Sequence, residues 1–263
     1  MSLVEPNLFV VEAERTIAYA RATNDPIAAH LSGELAPPVF AVVPAWESLV
    51  EAVSRVAPAE VLPQLLHGEQ DIHIHRPVVP GMRLVSTAEV VGTHVKTSGT
   101  TVTVHSLSST SDGEPVNEQY MVAFLRGWNA DHPGGEPAPD HAFTPPEGEA
   151  EKVLSAKVDE DQTFRYRDAS GDHNPIHVDD EIARAVGLPG MIVHGLCTMA
   201  FTSWAAVIVL CDGDPRRLKR IAVRFSQPVL PGQEITTRFW GGHYETVSDS
   251  GALVIKNGFI ERD

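Results

Sequence analysis

The hydrophobic period of this chain changes from helical to alternating and back again, twice and in the same order. Residues 12–22 carry apolar positions at helical spacing, with Val11, Ile17 and Ala18 expected to pack inward. A second helix is expected over 45–56. From His67 the period becomes two: residues 69–74, 84–92, 100–108 and 119–125 read as strands bounded by Pro-Gly, Ser-Gly and Asp-Gly turns. Residues 129–149 are rich in Pro, Gly and acidic side chains without a period, and read as a linker. A mixed segment follows, then a short helix over 179–186, capped by Asp179 and stopped at Gly187. A long apolar run over 191–210 predicts a buried helix, and strands are expected over 221–226, 234–241 and 252–260.

Two hexapeptides tie the halves together. RPVVPG at 76–81 and QPVLPG at 227–232 each follow the first strand of their half. Tyr19 precedes Pro77 by nearly the interval that separates Tyr166 from Pro228. Two copies of one unit account for this economically. The expected class is α+β, each unit a long helix wrapped by an antiparallel sheet. The boundaries are 1–128, a linker at 129–149, and 150–263.

Charge and composition narrow the partners. A formal net charge of −15 argues against nucleic acid, whose phosphates need a basic surface. Arg216, Arg217, Lys219 and Arg220 form the one dense basic cluster. It reads equally as an anion-binding patch or as a solvated loop leading into a strand. Cys197 and Cys211 both fall in or beside the apolar run, too far apart along one helix to form a disulfide. Reduced and buried thiols are expected, as in a cytoplasmic protein. Residues 1–11 lack the basic start and apolar core of a secretory signal. The run over 191–210 is long enough to span a bilayer, but His194, Gly195, Thr198, Thr202 and Ser203 mark it as a core helix, so no membrane partner is expected.

The densest chemistry lies in YRDASGDHNPIH, 166–177, read with the helix start at His194-Gly195. Gly171-Asp172 and Asn174-Pro175 are turn formers, and two turns in succession can aim Asp172 and His177 at one point. A carboxylate beside an imidazole can hold a water and move its protons. Free N–H groups at the following helix start suit a negatively charged oxygen. Asp71, His73 and His75 alternate on one face of a strand, as ligands of a divalent ion could, but no further ligand has a telling spacing and an exposed face explains them as easily. No metal is expected.

The same stretch resembles the signature of the MaoC-like dehydratases, or (R)-specific enoyl-CoA hydratase 2 family. Tyr166, Ser170, Gly171, Asp172, Asn174, Pro175, Ile176, His177 and Ala183 fit that pattern, and Ala169 departs mildly from it. The resemblance implies a double hot dog fold and hydration of a trans-2-enoyl-CoA to the (3R)-3-hydroxyacyl-CoA. It implies Asp172 and His177 as the water-holding pair, Asn174 as their positioner and Gly195 N–H as donor to the thioester oxygen. His194, Gly171, His67, Gln70 and Arg217 are expected at the substrate. HGEQ, 67–70, is similar to a first-half strand of eukaryotic hydratase 2 proteins. No cofactor is implied, because coenzyme A is part of the substrate, and a homodimer is the expected assembly.

The first half holds a worn copy of the motif at 19–27, with Asn24, Asp25, Pro26 and Ile27 but no histidine in the place the Pro-Ile pair would set. A vacated site there leaves room for an acyl chain, lined by Ala36, Val39, Ala41 and Val42, or these residues simply fill a core. Alternatives to hydration are the reverse dehydration on acyl carrier protein, a bulky sterol side-chain substrate, and an acyl-CoA-binding module without turnover.

Overall fold

The computed structural model describes residues 7–62 and 65–263, so the expectation about a leader lies, over residues 1–6, outside the described residues. In chain order the elements are β1 (Asn7–Val10), α1 (Ala13–Ala22), α2 (Ala28–Leu31) and α3 (Val42–Ser54). Then come β2 (Leu65–Ile74), β3 (Arg83–Lys96), β4 (Gly99–Thr110), β5 (Pro115–Arg126) and the short β6 (Gly134–Gly135). The second half follows with β7 (Lys152–Lys157), α4 (Gln162–Ser170), α5 (Asp180–Ala185) and α6 (Gly195–Leu210). It ends with β8 (Leu218–Phe225), β9 (Glu234–Trp240), β10 (His243–Ser248) and β11 (Leu253–Arg262).

All strands join one antiparallel sheet in the order β1-β3-β4-β5-β2-β8-β11-β10-β9-β7, with β6 on β3. Reading outward from the β2–β8 pair, each half gives the same succession: first strand, fourth, third, second, and an edge strand preceding the first helix. The seam itself is a regular ladder with Gln70 opposite Val223 and Ile72 opposite Ile221. Asp71 and Arg220 close it on the outer face by a two-pronged ion pair at 3.0 and 2.8 Å.

The apolar run becomes α6, buried nearly all round because it holds no charged side chain and no internal Gly or Pro. Its Thr198 and Thr202 hydroxyls bond back to carbonyls one turn earlier, which is how polar residues sit in a core helix. Among the described residues no helix is long and apolar enough to cross a membrane. Trp204 Nε1 donates to Thr23 O (3.1 Å), fastening α6 to the first half. By contrast α3 is amphipathic and packs its Leu49 and Ala52 face on β3 and β4.

Three readings of the sequence change. Ala18 is exposed and Ile17 half-buried; α1 instead buries Thr16, Tyr19, Ala20 and Ala22, because its partner is α4, met through the Tyr19–Tyr166 hydroxyl contact at 3.1 Å. Strand β10 is an addition to the expected strands: Tyr244, Thr246 and Ser248 are buried and alternate with half-buried His243, Glu245 and Val247 behind a Gly-Gly turn. Residues 129–149 do join the halves, but as a packed strap. Gly135 lies so close to β3 that a Cβ there would meet Val91 O at 2.1 Å. Further on, His141 Nδ1 bonds Asn257 O at 2.5 Å and Phe143 stacks on His243 with centroids 4.4 Å apart.

Candidate active site

The loop after α4 is built by short-range hydrogen bonds. Gly171 ends the helix in the left-handed region (φ 85°), which reverses the chain. Asp172 Oδ1 then accepts from Asn174 N–H at 3.1 Å, and Asn174 Oδ1 accepts from Ile176 N–H at 3.3 Å. These turns bring His177, 7% exposed, in behind Asp172. His177 Nδ1 faces Ile192 O at 2.8 Å; a carbonyl only accepts, so Nδ1 carries the hydrogen and Nε2 offers a lone pair. The carbonyl is itself held, because Met191 N–H donates to Asp180 Oδ1 at 2.7 Å. Burial pulls the His177 pKa below its ordinary value, against the opposing pull of the Ile192 bond and of Asp172.

His194 caps α6 and lies flat against His177, with ring centroids 3.7 Å apart and planes at 24°. Its Nε2–H donates to Asp172 O (3.2 Å), so Nδ1 bears the lone pair, buried and without a partner. Burial, and then the neighbouring His177, pushes its pKa down to about 2, which leaves a neutral ring. Donor atoms of Asp172, His177 and His194 lie within 4.8 Å of one another. A zinc ion sits about 2.0–2.1 Å from an imidazole nitrogen, in line with its lone pair. Two rings stacked this closely cannot both aim at such a point. A water bridging Asp172 and His177 meets no such restriction.

Both halves wall one cavity of about 1420 Å³ around this pair. Gly195 opens α6 on the cavity, its N–H among those a helix start leaves without an internal partner. A Cβ there would meet the Phe225 ring at 3.2–3.4 Å, so glycine keeps the approach open.

From the first half comes His67. Strand β2 carries a bulge between His67 and Glu69, which puts His67 and Gln70 on one face although alternation would separate them. A directed relay results: His67 Nε2–H donates to Gln70 Oε1, Gln70 Nε2 to Gln119 Oε1, and Gln119 Nε2 to Ala41 O. Because the last acceptor is a carbonyl, every amide in the relay has one orientation. Burial pushes the His67 pKa down to about 4, so it is a neutral wall of the cavity.

The structure thus brings together Asp172, Asn174, His177, His194, Gly195 and His67. It does not bring the other expected residues to the cavity. Gln70 is fully buried behind His67, and Gly171 serves the helix end. Arg217 is bound to Asp212 and to Asp263 O, away from the site. Its neighbours pair likewise: Arg216 with Glu34 and Asp214, Lys219 with Asp263, Arg220 with Asp71. In so acidic a chain, a run of cations finds carboxylates nearby. The cavity's cations are instead Lys96, Arg126 and Arg224, which the sequence reading missed because they lie on three separate strands.

Ala36 and Ala41 line a separate hollow of about 20 Å³, while Val39 and Val42 are core. The large cavity's first-half apolar wall includes Trp46, Val50, Val53, Leu62, Leu65 and Met121. Asp71, suspected with His73 and His75, is occupied by Arg220 and by His73 at 3.3 Å. Nor does the worn motif lack an imidazole. His30 Nδ1 sits 2.7 Å from Asp25 Oδ2, and both groups are buried.

The profile of the MaoC like domain matches residues 142–261, and that of the MFE-2 hydratase 2 N-terminal domain matches 33–127. A probable enoyl-CoA hydratase 2 of Dictyostelium discoideum is 32% identical over 84% of this chain and 78% of its own length. The chain belongs to the MaoC-like enoyl-CoA hydratase 2 family. Another family relative, the peroxisomal enoyl-CoA hydratase 2 of Arabidopsis thaliana, is 32% identical over 67% of this chain. The chain spans 60% of that protein and about a third of the peroxisomal multifunctional enzymes type 2 of Drosophila melanogaster and Mus musculus. A MaoC-like dehydratase structure from Phytophthora capsici superposes with a TM-score of 0.87 at 27% identity, over 98% of this chain and 94% of that one. The fold is a double hot dog, as in a Mycobacterium tuberculosis protein described by that name (TM-score 0.57, 15% identity, over 98% of this chain and 94% of that one).

Proposed function

We propose that this chain hydrates trans-2-enoyl-CoA thioesters to (3R)-3-hydroxyacyl-CoA. One observation carries the reading. Asp172 and His177 line one cavity beside the start of α6, with Asp172 Oδ2 and His177 Nε2 outside the hydrogen bonds that build the loop. Water held between them loses a proton as its oxygen attacks Cβ, and the displaced electron pair moves to the thioester oxygen. Gly195 N–H and the positive end of α6 stabilise that charge. The enolate then takes a proton back at Cα from the same pair, which leaves the site unchanged. Asn174 holds the turn that aims Asp172. Only water and protons move, so no cofactor is invoked.

Lys96 and Arg126, exposed at the cavity edge, match the phosphates of coenzyme A in a chain that is otherwise strongly acidic. Buried Cys197 and Cys211 fit a reducing compartment such as the cytosol. The assembly we propose is a homodimer, to be tested by analytical ultracentrifugation.

The decisive assay is loss of the enoyl absorbance of trans-2-octenoyl-CoA, with chiral analysis of the product. Absorbance that persists in the presence of folded protein refutes the reading and favours a binding module. Faster turnover on acyl carrier protein thioesters would move the reading to the dehydratase direction.

A further inference from the structure

Hydration needs only the thioester end of the substrate, and the first half carries a built wall for the other end. Trp46, Val50 and Val53 have the spacing of one helix face, and that face of α3 lines the cavity. The Trp46 indole lies nearly parallel to the His67 imidazole, with centroids 6.4 Å apart and planes at 23°. His67 in turn meets the Phe225 ring edge-on at 5.2 Å. Phe225 is the ring packed against Gly195. A row of three rings therefore leads from the helix start that faces the thioester to the wall of α3. The same cavity is lined by the aliphatic side chains of Val50, Val53, Leu62 and Leu65. The middle ring is fixed in place, since the Gln70–Gln119 relay holds it from behind.

We propose that Trp46 is a specificity-determining residue. Paired with His67, it narrows the way from the Asp172–His177 pair to the α3 chamber, and so favours straight acyl chains of medium length over long or ring-bearing ones. This rests on the hydration reading and names its substrate class. An indole is the largest side chain on that wall, and its removal opens space next to aliphatic surface that a longer chain can bury.

The test measures kcat/KM for trans-2-octenoyl-CoA, trans-2-hexadecenoyl-CoA and a cyclohexyl-bearing enoyl-CoA. Trp46→Ala should raise the hexadecenoyl-to-octenoyl ratio by about tenfold or more, and Trp46→Phe by less. An unchanged ratio in Trp46→Ala overturns the proposal. Val50→Trp, at a more exposed site on the same face, should lower the ratio below wild type, and failure to do so also overturns it. If wild type turns over none of the three, the hydration reading falls. Calorimetric binding of octanoyl-CoA and hexadecanoyl-CoA to the same variants then decides whether Trp46 still sets the preference.

Discussion

The two halves contain the same three residues at the same intervals and use them differently. Tyr19, Asp25 and His30 in the first repeat Tyr166, Asp172 and His177 in the second. Both aspartates follow a residue in the left-handed region, Asn24 (φ 49°) or Gly171 (φ 85°). Both accept a hydrogen bond from the amide two residues on, Ile27 N–H at 2.9 Å or Asn174 N–H at 3.1 Å. The difference lies in one nitrogen. His30 Nδ1 closes on Asp25, whereas His177 Nδ1 is drawn away by Ile192 O. A carboxylate closed on its own imidazole no longer shares a water with it, and His30 keeps only Nε2, buried and without a partner. Competence in the second half thus comes from a third group that keeps the imidazole from its carboxylate.

The largest effect that sharpens this contrast is on turnover. Asp172→Asn and His177→Ala should each lower kcat by about 10³-fold or more, with unchanged circular dichroism. Residual kcat above a tenth of wild type in either would break the contrast. Gly195→Ala should cost up to about 100-fold by driving a methyl against Phe225, and Phe225→Leu in the same chain should recover part of it. In the first half the effect should fall on stability. Asp25→Ala leaves His30 buried without its partner and should cost about 3 kcal/mol in urea unfolding, while kcat per folded molecule holds.

Acidity separates the halves next. His177 must be neutral to accept a proton, and its lowered pKa keeps it so below the ordinary histidine range. The acid limb of kcat/KM should therefore lie below about pH 6.5, with no loss on going up from there. His67 is also depressed, to about 4, so the unfolded chain binds more protons between these values. Its contribution to stability is full above about pH 6.5 and falls away toward pH 4. The urea midpoint should decline over that window, and less steeply in His67→Phe. The smallest effect is at the edge of the cavity. Lys96→Ala or Arg126→Ala should raise KM a few-fold, roughly 2- to 5-fold, and less at high salt.

Local features were legible in the sequence and long-range ones were not. α6 could be read because nothing charged interrupts it, and the Asp172–His177 loop because its turns are made within twelve residues. His30 escaped because the Pro-Ile pair comes two residues earlier in the first half. Alignment on proline displaces the histidine, and counting from Tyr19 restores it. Gln70 was placed at the substrate because a bulge depends on the partner strand, Ala123 and Val122, which the sequence of β2 does not contain. Lys96 and Arg126 meet only through the sheet. The basic cluster at 216–220 was conspicuous, and its charges are spent on neighbouring acids.

The seam between β2 and β8 has a consequence for how such a chain can come apart. It is a strand pairing in mid-sheet, not two finished surfaces in contact. Severed from the other, either half would bare a long, unguarded row of amides and carbonyls and would seek another chain to cover it. Tethering through the strap keeps the correct edge always nearest, so fusion of the two units guards against promiscuous oligomers.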